Sequence, residues 1–127
     1  MTRRIGLLII IIKMINKLIF ILFLTQISCF SSEILTENQI NRIADAIYRA
    51  ENSKTYPYGI KSIKTNGNKE FARKICLNTI RNNHKRWLNS DKSKDFITFL
   101  GDRYCPAKDD PQGNINWKKN VKKFLAN

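Results

Sequence analysis

Apolar residues recur at helical spacing along most of the chain beyond residue 35. Ile40, Ile43, Ala44 and Ile47 form the first stripe, with the three- and four-residue steps that a helix turns onto one face. Ahead of it Thr36 and Gln39 make a capping-box pair, and Leu35 with Ile40 a hydrophobic staple, so a helix is expected to open at Glu37. The stripe runs out at Glu51. Residues 52–67 then mix Asn, Ser, Pro and two glycines with Tyr56, Tyr58, Ile60 and Ile63, which predicts a structured loop or short hairpin.

A second helix is expected after Asn68, with Phe71, Ala72, Ile75, Cys76, Thr79, Ile80 and Asn83 at helical spacing, Trp87 one turn further and an end near Leu88. Asp95 opens a third, carrying Phe96, Phe99, Leu100 and Tyr104, and Pro106 stops it. Ala107 to Gly113, with two Asp and a Pro, predicts a loop. The last helix is placed after Asn114 or Asn116, with Trp117, Val121, Phe124 and Leu125 inward and Lys118, Lys119, Lys122 and Lys123 mostly outward. There is no internal repeat and no sustained strand alternation, so the expected class is mainly α.

The first 32 residues follow a different pattern. Arg3 and Arg4 precede an apolar run from Ile5 to Ile12, and a second run, Leu18 to Leu24, leads into Thr25-Gln26-Ile27-Ser28. Lys13, Asn16 and Lys17 interrupt the roughly 20 apolar residues that a membrane span needs. A basic flank, a short apolar run and a small-residue exit predict a secretory signal peptide over residues 1–32, with Met14 an alternative start because residues 14–24 make a short signal by themselves. Left uncleaved, or lipidated at Cys29, the segment becomes a membrane anchor. Residues 33–127 are then one small domain, expected to be an exported monomer, periplasmic or extracellular.

Charge narrows the partners. The chain carries 23 Lys and Arg against ten Asp and Glu; without the four basic residues of the leader, 19 face ten, a net +9. Such a surface favours a polyanion. Nucleic acid, anionic lipid and the acidic glycans and other polymers of a bacterial cell wall are the candidates, and export makes nucleic acid the least expected of these. Cys76 and Cys105 fit an oxidising compartment, where a bridge closing a loop of about 30 residues is worth roughly 3 kcal/mol in the chain-entropy model. Two buried thiols are the alternative. His84, the single histidine, lies among Arg81, Asn82, Asn83, Lys85 and Arg86 and is expected at the surface. One histidine and two distant cysteines give no metal-ligand spacing, and no glycine loop marks a nucleotide site, so no metal or cofactor is expected.

Glu51 is the candidate for chemistry. It ends an apolar stripe near a helix C-terminus, where the helix dipole and an apolar surround both favour the protonated carboxyl. A carboxylic acid still protonated near neutral pH can give its proton to a glycosidic oxygen as the bond breaks. Slipping off the stripe to pair with Arg49, Lys54 or Lys61 is the structural alternative. Tyr56, Tyr58 and Tyr104 are candidates to line a cleft with apolar faces and hydroxyls, and Gly59 would let a backbone approach closely.

The order of these features resembles the lysozyme-like superfamily: a helix ending in Glu51, Tyr58-Gly59-Ile60, a long helix, then residues 99–106 from Phe99 to Pro106 and Asn116-Trp117-Lys118-Lys119-Asn120-Val121. It is most similar to small bacterial and phage-related proteins near the lytic transglycosylases, over residues 37–125. The resemblance implies Glu51 as general acid, Tyr58-Gly59-Ile60 as cleft floor and Tyr104 as a later cleft aromatic. It departs from that family in having Asn52 directly after the glutamate and Lys61-Ser62 after the turn. The expected function is a secreted, peptidoglycan-directed, glycan-cleaving enzyme; a non-catalytic domain of the same fold that binds a glycan or a protein is the alternative.

Overall fold

The computed structural model describes residues 2–27 and 34–127. The lipidation reading of Cys29 and the end of the expected leader fall outside the described residues. The chain divides into two units, Met1–Ile34 and Leu35–Asn127. In the first, the described residues include the helix α1 (Thr2–Ile27), on which Ile5, Leu7, Leu8 and Met14 are all exposed. Among the described residues no helix is long and apolar enough to cross a membrane.

The second unit is built from helices joined by loops: α2 (Glu37–Glu51), a single 3-10 turn (Pro57–Gly59), α3 (Lys69–Leu88), α4 (Phe96–Tyr104) and α5 (Pro111–Ala126). No strand occurs among the described residues, so the region after α2 is a loop rather than a hairpin. Local chemistry sets each start. Thr36 and Gln39 close the capping box, Gln39 N–H donating to Thr36 Oγ1 at 3.2 Å and Thr36 N–H to Gln39 Oε1 at 2.8 Å. Asn68 caps α3 by accepting from Phe71 N–H at 3.0 Å, and Asp95 caps α4 by accepting from Thr98 N–H at 3.0 Å. Each such cap is worth about 1 kcal/mol.

The start of α5 differs from expectation. It opens at Pro111 rather than after Asn114, because Asp110 accepts the Gly113 N–H at 2.8 Å and Pro111 occupies the first turn, where its missing N–H costs nothing. The residues that looked like a loop are the cap of the helix.

The core is shared by all four helices of this unit. α2 packs on α5, α3 and the turn, and α4 bridges α3 and α5. Ile47, Ile80, Leu100 and Val121 are fully enclosed, each contributing about 1.5–3 kcal/mol. His84 corrects the sequence expectation: it is buried, its ring stacked 5.8 Å from Trp87 and set edge-on to Phe96 at 5.2 Å. Its basic neighbours point outward while the helical phase of Ile80 carries His84 inward. Phe71, by contrast, is exposed.

Polar ties fix the helix pairs. Arg73 of α3 donates to Asp45 at 2.6 Å and Asn41 at 2.9 Å on α2 and to the Tyr58 hydroxyl at 3.0 Å. Lys118 and Asn114 of α5 both reach Asp102 of α4.

Candidate active site around Glu51

Glu51 is the last residue of α2, and the chain turns away immediately after it. Asn52 takes a left-handed conformation (φ 45°) while its N–H still donates to Tyr48 O. This helix end suits asparagine. Ser53 Oγ accepts the Tyr56 N–H at 3.0 Å, drawing the next residues into a bend that delivers Pro57–Gly59 back beneath Glu51.

That turn holds two successive left-handed residues, Tyr58 (φ 60°) and Gly59 (φ 67°). For tyrosine the conformation costs about 1–2 kcal/mol, and three contacts hold it. Tyr104 donates its hydroxyl proton to Tyr58 O at 2.6 Å, Arg73 donates to the Tyr58 hydroxyl, and the Tyr58 ring lies 5.0 Å from that of Tyr48. The result is close approach at Gly59: a Cβ there would sit within 2.7 Å of Glu51 Cδ and both carboxyl oxygens. Any side chain at this left-handed position would have to displace the Glu51 carboxyl.

On its other side the carboxyl meets α5. Trp117, itself buried, donates its indole N–H to Glu51 Oε1 at 3.0 Å. The Trp117 ring stacks on Tyr104 with centroids 5.1 Å apart. The same Tyr104 that holds the turn therefore also backs the indole, so glycine floor and hydrogen-bond donor are fixed by one residue. Burial pushes the Glu51 carboxyl above the ordinary range, while the Trp117 hydrogen bond and the Lys61 charge pull the other way and do not cancel it.

The sequence-derived residues separate into three groups. Glu51 and Gly59 are in contact, and Tyr104 joins them through Trp117. Tyr58 is 1% exposed, so its ring lines no cleft; its place is in the support of the turn. Tyr56 is exposed and lines an open groove of about 490 Å³ with Thr55, Lys61, Ile63, Lys64 and residues 65–67. Lys61 belongs to both places, since it lines this groove and its charge acts on Glu51.

The expected disulfide is not made: Cys76 and Cys105 are free thiols. Cys76 is enclosed on α3, where the Tyr104 hydroxyl approaches Sγ at 3.8 Å, and burial pushes its thiol up to about 12. Burial raises the Cys105 thiol as well. Neither supplies a thiolate nucleophile near neutral pH. Among the described residues no group of three His, Cys, Asp or Glu could hold a metal ion.

Trp117 is the site residue that sequence reasoning missed. Its place on the inward face of α5 reads as packing, but a buried indole N–H needs an acceptor, and Glu51 is the carboxylate at the end of an apolar stripe. Compared with protein-family models, curated proteins and solved structures, the chain finds no match.

Proposed function

We propose that this protein is an exported glycan-cleaving enzyme directed at peptidoglycan, of lysozyme-like fold and lytic transglycosylase type, with Glu51 as its general acid. The observation that carries the reading is the setting of the Glu51 carboxyl. It is packed on Gly59, held by a neutral donor at Oε1 and raised toward protonation by burial.

With Oε1 held by Trp117, Oε2 carries the proton. Glu51 donates it to the glycosidic oxygen as the C1–O bond breaks, and positive charge spreads over C1 and the ring oxygen. A hydroxyl of the same sugar then closes on C1 and returns its proton to the Glu51 carboxylate. That route needs one acid. It suits a site in which Asp102 is bound by Lys94 and Lys118 and Asp110 is spent capping α5. The net positive charge of +9 over residues 33–127, 19 Lys and Arg against ten Asp and Glu, supports retention on an anionic wall.

The second reading is a non-catalytic binder of the same fold, favoured by the Trp117 hydrogen bond occupying part of the carboxyl. Release of soluble fragments from purified peptidoglycan separates the two. Wild-type protein should release them and Glu51→Gln should lower the rate by roughly 10²- to 10⁴-fold, the span of a lost general acid. Equal rates would remove Glu51 from the chemistry.

A further inference from the structure

The loop between α2 and α3 has a charge pattern that the acid alone does not use. Residues 52–68 carry Lys54, Lys61 and Lys64 and no acidic residue. Lys61 and Lys64 stand on the groove that holds Tyr56 and Ile63, both 45% exposed. An exposed aromatic face beside threonine and asparagine groups suits a sugar ring and its hydroxyls. Two ammonium groups beside it suit an anion.

We propose that this groove is a subsite for a glycan residue bearing a carboxylate, with Lys61 and Lys64 as the groups that recognise it. Resting on the glycan-cleaving reading above, the assignment adds the substituent that the substrate must carry. Lys61 is the link between the two places: it lines the groove, and its charge reaches Glu51. Lys54, whose carbonyl lies near Gly67, adds positive potential to the same loop. No carboxylate lines the groove to compete for these lysines.

The probe is purified peptidoglycan in three forms: intact, with its carboxyls amidated, and stripped of phosphate polymers by acid. Binding is read with the Glu51→Gln protein, so that cleavage does not deplete the probe, and cleavage with the wild type. Binding should fall about tenfold or more on amidation, the scale of losing charge-assisted hydrogen bonds, and stay unchanged on removal of phosphate polymers. Lys61→Gln with Lys64→Gln, added to that protein, should reproduce the loss on intact material. Lys119→Gln with Lys123→Gln, an equal charge change at exposed positions of α5, should not.

Binding indifferent to amidation, or weakened equally by both lysine pairs, would overturn the subsite and leave only general electrostatic attraction. Binding that falls only with phosphate removal would also overturn it. Carboxyl-dependent binding through Lys61 and Lys64 without cleavage by the wild type would instead sustain the subsite and sink the enzymatic reading. All four lysines are exposed, so these variants keep the fold, which a melting curve checks.

Discussion

Two carboxyls reach the same turn of α5 and are treated in opposite ways. Asp102 on α4 meets the Lys118 ammonium first, then Lys94 at 2.7 Å and the Asn114 amide at 3.2 Å, which together hold its carboxyl well below the usual range. Glu51 on α2 meets Trp117, the residue before Lys118. Its partner is a neutral N–H, its floor is Gly59, and burial raises it. A carboxyl fixed by cations fastens helices together and stays ionised through ordinary pH. One held by a neutral donor in a drier place keeps its proton longer and can hand it over. The phase of α5 decides which acid gets which partner.

The contrast is most easily broken at Trp117. Trp117→Phe keeps an aromatic ring on Tyr104 but removes the N–H, leaving a half-buried carboxyl without its donor. Stability should drop by about 1–3 kcal/mol, and cleavage by roughly 10- to 100-fold as the acid loses its orientation. Because the hydrogen bond favours the ionised form, its loss raises Glu51 further. The alkaline limb of the rate profile should therefore move to higher pH. An unmoved limb would reduce Trp117 to packing.

Asp102→Asn tests the other half. Its side chain is 31% exposed and lies between Lys94 and Lys118, so solvent screening limits the loss to about 1 kcal/mol. Asp95, the α4 cap, behaves alike: burial pushes it up, but bonds from Thr98 and Lys122 outweigh this and hold it at about 2. For such depressed carboxyls the stabilisation is present above the unfolded value, about 4, and is lost as pH falls through the folded one. Wild type and Asp102→Asn should thus differ in urea midpoint at neutral pH and converge in acid. The pH profile of cleavage should stay where it is. A shifted profile would show that Asp102 senses the same chemistry as Glu51.

Much of this frame was legible from local signals. Thr36, Asn68 and Asp95 announced their helices because capping is settled within three residues, and the stripe ending at Glu51 needed only helical phase. Asp110 and Pro111 read as a loop because the same residue types make turns and helix starts, and only the Gly113 N–H distinguishes them. His84 was misplaced because its neighbours in sequence are polar while its neighbours in the fold, Trp87 and Phe96, are not. The pairing of Trp117 with Glu51 spans 66 positions, and no local pattern encodes it. Nor could spacing tell that Tyr58 would be swallowed as support while Tyr56 stayed outside.

The smallest effect is also the most direct reading of how Glu51 differs from Asp102. A carboxyl raised in the folded state binds its proton more tightly there than in the unfolded chain. Stability therefore declines as pH rises from the unfolded value, about 4.3 for Glu, through the raised folded value, and the full cost persists above it. Gln at position 51 carries no such charge yet keeps an oxygen for the Trp117 N–H. Glu51→Gln should accordingly melt a few degrees higher than wild type near pH 8 and match it below pH ~4, a gain in stability coinciding with the loss of cleavage. Thermal melts across that range decide it. If the wild type melts higher at alkaline pH, the Glu51 carboxylate is held favourably in its charged form, as Asp102 is, and an acid poised to give up a proton has no place at the end of α2.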